Sequence, residues 1–221
     1  HLAAETGTGQ SMYEVEKYNN VNVMGTAYML EILANSNHNV KKIIVASSRA
    51  IYGEGKYNCE THGVQYPPQR KEEDMGKGEF NPKCNICNST LNVVPTDEQS
   101  KIHPSSIYGI NKQQQEQMVM LMGKSLSIPS VAFRYQNVYG PGQSLLNPYT
   151  GILSIFSTRI LNGNNLDIYE DGEETRDFVY IEDAVDATIL GIEKEEANGH
   201  IFNIGSGVST SVLDVANTLK R

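Results

Sequence analysis

Three short apolar runs, each set off by polar residues, proline or glycine, constrain this chain more than any other feature. Lys42-Ile43-Ile44-Val45-Ala46 follows the polar stretch Asn35-Ser36-Asn37-His38-Asn39, Val131-Ala132-Phe133-Arg134 follows Pro129, and Ile201-Phe202-Asn203-Ile204 precedes Gly205. Runs this short and continuous read as strands buried on both faces, the habit of parallel sheets. Helix-length stretches lie around them. Val21–Leu33 has apolar residues at helical spacing. Ser106–Leu126 starts behind the cap region His103-Pro104-Ser105 and carries Met118, Leu121 and Met122 on one side. Ile152–Leu161, Ile181–Ile192 and Ser211–Leu219 are further helices of this reading. Strands alternating with such helices predict βαβ units, hence an α/β fold with a parallel sheet.

Composition removes several classes of function. An apolar fraction of 39% and a charged fraction of 20% are ordinary for a globular protein. The net charge of −8, with scattered Lys and Arg, argues against nucleic acid, which requires a basic face to displace counterions. No apolar run approaches the length of a membrane span, and nothing at the start resembles a signal peptide. Three cysteines, an odd count without a secretion signal, argue against a disulfide framework, and a cytoplasmic location is expected. The chain opens at His1 inside an apolar stretch and closes at Lys220-Arg221 inside a helical one, so truncation is expected at both ends.

Gly53–Pro104 breaks the pattern. It has no clear periodicity, and a loop this long within a compact domain needs something to organise it. All three cysteines fall here, as Cys59-x2-His62 and Cys84-x2-Cys87. Two knuckle-like pairs could form a closed Cys3His tetrahedron, the usual form of a structural zinc site, and zinc would supply the ordering energy of a segment with little apolar content. Three free thiols and a surface histidine are the plainer alternative. A catalytic zinc is not expected, because four protein ligands leave no open position.

Tyr108-Gly109-Ile110-Asn111-Lys112 places a phenol and an ammonium at i and i+4, on one helix face. A lysine so placed is expected to pull the phenol from about 10 toward neutrality, giving a general acid/base usable at pH 7. Taken alone the pair is as readily a surface contact. Its surroundings point further. The first strand runs into Ser47-Ser48-Arg49-Ala50-Ile51-Tyr52-Gly53, the second into Tyr135-Gln136-Asn137-Val138-Tyr139-Gly140-Pro141-Gly142, and later comes Glu174-Thr175-Arg176-Asp177-Phe178-Val179-Tyr180. Polar residues at the carboxyl ends of parallel strands face the crevice where α/β proteins bind ligands.

In order and spacing these segments resemble the extended short-chain dehydrogenases/reductases, the NAD-dependent nucleotide-sugar epimerases and dehydratases. The resemblance covers nearly the whole chain except Gly53–Pro104. It implies a Rossmann-like doubly wound sheet. Residues 1–150 would be the C-terminal part of the NAD-binding domain with insert 53–104, and 151–221 part of a nucleotide-sugar-binding region. It implies Ser48, Tyr108 and Lys112 as catalytic residues. Ala3, Ala4, Asn22, Ser47, Tyr135 and Val138 would join Tyr108 and Lys112 beside NAD. Arg49, Asn137 and Arg176 would contact the sugar nucleotide, Arg176 at its diphosphate. It also implies a homodimer through Val21–Leu33 and Ser106–Leu126.

The family's Gly-rich cofactor turn is absent and is expected upstream of His1, so these residues alone are expected to hold NAD poorly. In dehydratases of the family an Asp-Glu pair follows the catalytic residue. Here Arg49-Ala50 stands there, which favours 4-epimerisation, with 4,6-dehydration as the alternative. Glu5–Glu14, Ser47–Gly55, Arg134–Ser144 and the cysteine-bearing insert resemble the dTDP-L-rhamnose 4-epimerase-like group. A non-catalytic fragment whose zinc-ordered loop serves as an interaction module is the reading from another class.

Overall fold

A computed structural model of the chain describes residues 1–145 and 151–220. The strands are β1 (Ile43–Ser48), β2 (Tyr57–Cys59), β3 (Gly63–Gln65), β4 (Asn92–Val93), β5 (Ser130–Tyr135), β6 (Asn137–Tyr139), β7 (Thr175–Tyr180), β8 (Ile201–Ile204) and β9 (Ser209–Ser211). The α-helices are α1 (Val15–Tyr18), α2 (Gly25–Asn35), α3 (Glu72–Met75), α4 (Ile107–Ser125), α5 (Ile152–Leu161), α6 (Ile181–Glu193) and α7 (Val212–Leu219).

The three apolar runs form one parallel sheet, in the order β1-β5-β8. Its two faces are covered by different helices, as a doubly wound sheet requires. Ile43, Val45 and Ala132 pack with Leu30 of α2 and Val119 of α4. Val131 and Phe133 pack on the other face with Ala197, Ile44 and Phe202. Alternation along each strand assigns the faces. The N-terminal segment lies along the free side of β1, where the Ala46 N–H donates to the His1 carbonyl at 3.2 Å.

Elsewhere the structure adds to the sequence reading. The helix expected from Val21 begins at Val15 and is wound as a π-helix over Asn19–Met24. A second sheet, β6-β7-β9, pairs β6 with β7 in parallel and β7 with β9 antiparallel. It stands beside a cluster of Phe156, Val215 and Ala216 from α5 and α7. The division at 150/151 does not follow the sheets: β8 lies beyond it and pairs with β5, while β6 lies before it and pairs with β7. The chain crosses between the two layers more than once. The insert has structure of its own, a small antiparallel sheet β3-β2-β4 with α3 between β3 and β4 in the chain.

One buried ion pair joins these parts. Arg134 of β5 meets Glu116 of α4 through two hydrogen bonds, Nε to Oε2 at 3.0 Å and Nη2 to Oε1 at 2.6 Å. Both side chains are only 3% exposed. Arg134 Nη1 also donates to the Tyr52 hydroxyl at 2.7 Å and to the Glu98 carbonyl at 3.1 Å. Leaving one charge of such a pair uncompensated costs about 3–5 kcal/mol. Glu116→Leu should therefore destabilise the protein by that amount, and the double variant Arg134→Met/Glu116→Leu should recover most of it. Urea unfolding midpoints at unchanged m-value read both; a double variant no more stable than the single one would refute the assignment.

Candidate active site

At the carboxyl end of β1 the chain enters a short 3-10 turn, Arg49–Tyr52, capped by Ser48, whose Oγ accepts the Ala50 N–H at 3.1 Å. From the other direction α4 emerges from the insert, capped by Ser106, whose Oγ accepts the Gly109 N–H at 3.0 Å. Tyr108 thus sits in the first turn of α4, and Lys112 follows one turn later on the same side. The turn and the helix touch at Gly109: a Cβ there would lie 2.6 Å from the Ala50 carbonyl oxygen and 2.9 Å from Pro104 Cβ. Glycine permits this approach, which brings the side chains of Ser48 and Tyr108 to the same cleft. Lys112 Nζ lies 5.9 Å from the centre of the Tyr108 ring and donates to the Ala46 carbonyl at 3.0 Å.

The ionisation of this trio differs from the expectation drawn from spacing. Burial pushes the Tyr108 phenol up, and the Ser48 hydroxyl and the Arg49 cation only partly oppose it. The Lys112 ammonium donates to the Ala46 carbonyl. Burial lowers Lys112 itself, to about 8. Desolvation is the largest cause at both groups.

Ser48, Arg49, Tyr108, Asn137, Val138 and Arg176 all line one cleft of about 1120 Å³. The Asn137 amide donates to the Asp177 carbonyl at 3.0 Å. Arg176 is ion-paired with Glu174 and donates to the Thr175 carbonyl at 2.8 Å. Arg49 is half-buried, and burial, then the neighbouring Arg176, lowers it to about 10.

Other residues singled out from the sequence lie outside this lining. Asn22, buried in the π-helical segment, binds the Glu5 backbone at both ends of its amide, at 2.8 and 3.1 Å. It braces the segment that carries Ala3 and Ala4. Ser47 is buried, and its Oγ has no hydrogen-bond partner among the described residues. Tyr135 turns to the α6 side of the sheet, with its hydroxyl 2.6 Å from Thr188 Oγ1 and its ring against Phe133. Strand alternation explains this, since Tyr135 shares a face with Val131 and Phe133. Two supports were not foreseen: Tyr18, edge-on to the Tyr108 ring at 6.5 Å, and Ser11, whose Oγ accepts the Tyr108 N–H at 3.0 Å.

The insert forms part of the cleft wall through Tyr57, Arg70 and Leu91. Behind Tyr57 and Leu91 pack Cys59 and Cys84. The ligand atoms of Cys59, His62, Cys84 and Cys87 all lie within 4.8 Å of one another. A tetrahedral ion with the usual bond lengths needs S–S edges of about 3.8 Å and S–N edges of about 3.6 Å. Cys59 and Cys87 are 3.7 Å apart, and His62 Nδ1 is 3.6 Å from Cys59 and 3.7 Å from Cys84. The Ser89 hydroxyl, 3.6 Å from Cys59 and 3.0 Å from Cys87, pulls both thiols down, Cys59 to about 6.

Comparison with known proteins agrees with this arrangement. Residues 87–205 match the model of the NAD dependent epimerase/dehydratase family, and residues 1–69 match that of GDP-mannose 4,6 dehydratase. The chain is 38% identical over 220 residues to a dTDP-L-rhamnose 4-epimerase of Burkholderia thailandensis, covering 99% of this chain and 59% of that protein. It superposes on the UDP-glucose 4-epimerase of Thermotoga maritima, solved with UDP-glucose, with a TM-score of 0.77 and 32% identity over 100% of this chain and 59% of that one. A UDP-glucuronic acid 4-epimerase of Bacillus cereus, solved with UDP-glucuronic acid and NAD, gives a TM-score of 0.72 at 25% identity, over 99% of this chain and 56% of that one. The chain thus spans less than two thirds of the length of these relatives.

The Lys112 environment predicts a pH response. Its folded value of about 8 lies below the ordinary 10.5, so between these the unfolded chain binds more protons than the folded one. Stability should therefore rise with pH across that window, by up to roughly 3 kcal/mol. In Lys112→Met this rise should vanish from thermal melts compared at pH 7.5 and 9.5. An equal response in variant and wild type would show that Lys112 stays charged in its site.

Proposed function

Because the chain belongs to the NAD dependent epimerase/dehydratase family, we propose that the protein carrying it is an NAD-dependent nucleotide-sugar 4-epimerase acting on dTDP-L-rhamnose or a closely related sugar nucleotide. The observation that carries the proposal is the convergence of Ser48 and Tyr108 in a cleft that also holds Arg49 and Arg176.

The donor set suits NAD. Lys112 reaches the Ala46 carbonyl near the carboxyl end of β1, where Ser47 Oγ has no hydrogen-bond partner among the described residues, and Tyr108 lies one helical turn before Lys112. Ala3 and Ala4 lie on the N-terminal segment that Asn22 braces at Glu5. Val138 closes the cleft further along, and Tyr135 contributes by holding the β5 end against α6. NAD, when bound, supplies the hydride acceptor.

The chain's own part is proton transfer and orientation. Once ionised to the phenolate, Tyr108 takes the proton of the sugar 4-hydroxyl and later returns it, while Ser48 helps to hold the reacting oxygen. Asn137 faces the sugar. Arg176 and Arg49 hold the diphosphate, so the sugar ring can turn its other face without leaving the cleft. Dehydration requires an acid and a base beside the reacting carbons. Arg49, with a value of about 10, remains a cation at neutral pH, and Ala50 has no proton to give.

In the full-length protein with NAD, dTDP-L-rhamnose should convert to its C4 epimer without uptake of solvent deuterium at C4. Tyr108→Phe should lower turnover by about 10²–10⁴. With dTDP-D-glucose, which still carries its 6-hydroxyl, a 4-keto-6-deoxy product with solvent deuterium at C5 would establish dehydration instead.

We also propose that Cys59, His62, Cys84 and Cys87 hold one structural zinc, on the strength of the tetrahedral edge lengths. Protein purified without chelator should carry about one zinc per chain, and Cys87→Ser should lose most of it; less than about 0.2 per chain in the wild type would overturn the site. A homodimer through α2 and α4 is supported by the exposed apolar residues Tyr28, Ile32 and Leu121 on those helices. No helix among the described residues is long and apolar enough to cross a membrane. Cysteines serving as metal ligands rather than disulfides favour a cytoplasmic location.

A further inference from the structure

The cleft contains an arginine that the reading above does not use. Arg70 comes from the insert, whereas Arg49 comes from the turn after β1 and Arg176 from β7, and all three line the same space. Arg70 Nη1 donates to Glu170 Oε2 at 2.5 Å and to the Phe80 carbonyl at 3.4 Å. Among the described residues no hydrogen bond engages its Nη2 or Nε, and its side chain is 21% exposed. Arg70 and Arg176 act on the same groups. Burial pushes the Glu54 carboxyl up, and both arginines oppose that; they also both act on the Tyr57 phenol, likewise raised by burial.

The arginines share the cleft with Glu54, Glu170, Asp171, Glu173 and Glu174. Arg70 is held by Glu170 and Arg176 by Glu174, two carboxylates four positions apart on one segment. A partly exposed Arg–Glu pair is worth little, on the order of 1 kcal/mol or less. A diphosphate offers more charge and more acceptor oxygens to the same guanidinium fork. It can therefore replace Glu170 as the partner of Arg70.

We propose that Arg70 is a further substrate-binding residue, which exchanges Glu170 for the diphosphate of the bound sugar nucleotide and meets Arg176 there, with Glu170 as the placeholder that the substrate displaces. The proposal rests on the reading of the cleft as a nucleotide-sugar site. It gives the insert a direct part in substrate binding. A purely structural strap between the insert and the Glu170 segment makes a different prediction, because loss of either partner would then have the same sign.

Calorimetric titration of the full-length protein with inorganic pyrophosphate and with dTDP-L-rhamnose separates these cases. Arg70→Ala should weaken both ligands by about 10-fold or more. Glu170→Gln should tighten both, by about 3-fold at low salt, by freeing Arg70 and removing a nearby negative charge. Arg70→Lys should fall between wild type and Arg70→Ala, since it keeps the charge and loses the fork. Weaker or unchanged binding in Glu170→Gln overturns the proposal, and that variant decides the matter even if Arg70→Ala fails to fold. Wild type that binds pyrophosphate but not the sugar nucleotide, with the variants split in sign as stated, removes the substrate reading and leaves the anion site. Wild type that binds neither overturns both.

Discussion

The Arg134–Glu116 ion pair is the constraint on which the rest of the structure depends. Both side chains are buried, so each charge must be answered locally, and the answers come from four separate parts of the chain. Arg134 reaches Glu116 on α4, Tyr52 behind β1 and the Glu98 carbonyl at the end of the insert. Tyr52 in turn donates to Asn203 of β8 at 2.9 Å, and Asn203 donates to the Thr96 carbonyl at 3.0 Å. One guanidinium thereby sets where α4 crosses the sheet and where the insert returns to it. Its position determines how near Tyr108 comes to Ser48. The hydrogen bond from the His103 N–H to the Ile51 carbonyl, at 3.0 Å, closes the same junction.

The elements legible in the sequence were those with a strong periodic signal. β8 and α5 match their expected ranges residue for residue, β5 gains one residue at each end, and β1 starts one residue later and ends two later than expected, because buried parallel strands are short continuous apolar runs. The α4 boundary was legible from its cap region, although the capping side chain is Ser106. The second sheet was not legible. β6 and β9 have three residues each and only partial burial, too short for alternation to register. The strands of the insert are equally short. The π-helical winding at Asn19–Met24 leaves no mark in apolar spacing, yet it directs Asn22 to Glu5 and Asn19 to Asn111. Arg134 did carry a signal: an arginine inside an otherwise apolar buried strand must have a buried counter-charge.

Placement of the reactive residues was easier to anticipate than their ionisation. Spacing puts Tyr108 and Lys112 on one side of α4, and strand order brings them to Ser48. Neither observation contains the desolvation that each group undergoes. Here burial dominates, raising the phenol and lowering the ammonium. The chain's own charges therefore leave Tyr108 protonated at neutral pH, and a neighbouring positive charge that arrives with a ligand would act on a group already poised in place. Arg176 and Arg70 follow a related rule, since each is held by a carboxylate that a stronger anion can replace.

The position of the insert bears on how the site is reached during folding. Ser48 and Tyr108 are sixty positions apart, and almost the whole interval is insert. Bringing the ends of such a loop together costs chain entropy, and the cost grows only with the logarithm of length, by about 0.6 kcal/mol for each doubling. A staple between Cys59 and Cys87, 28 positions apart, would take roughly half of that interval out of the closing loop. Ser48 and Tyr108 would then meet as though the insert were half its length. An excursion that looks like an interruption of the active site can in this way grow or shrink between the cysteines with almost no effect on the closure of the catalytic pair.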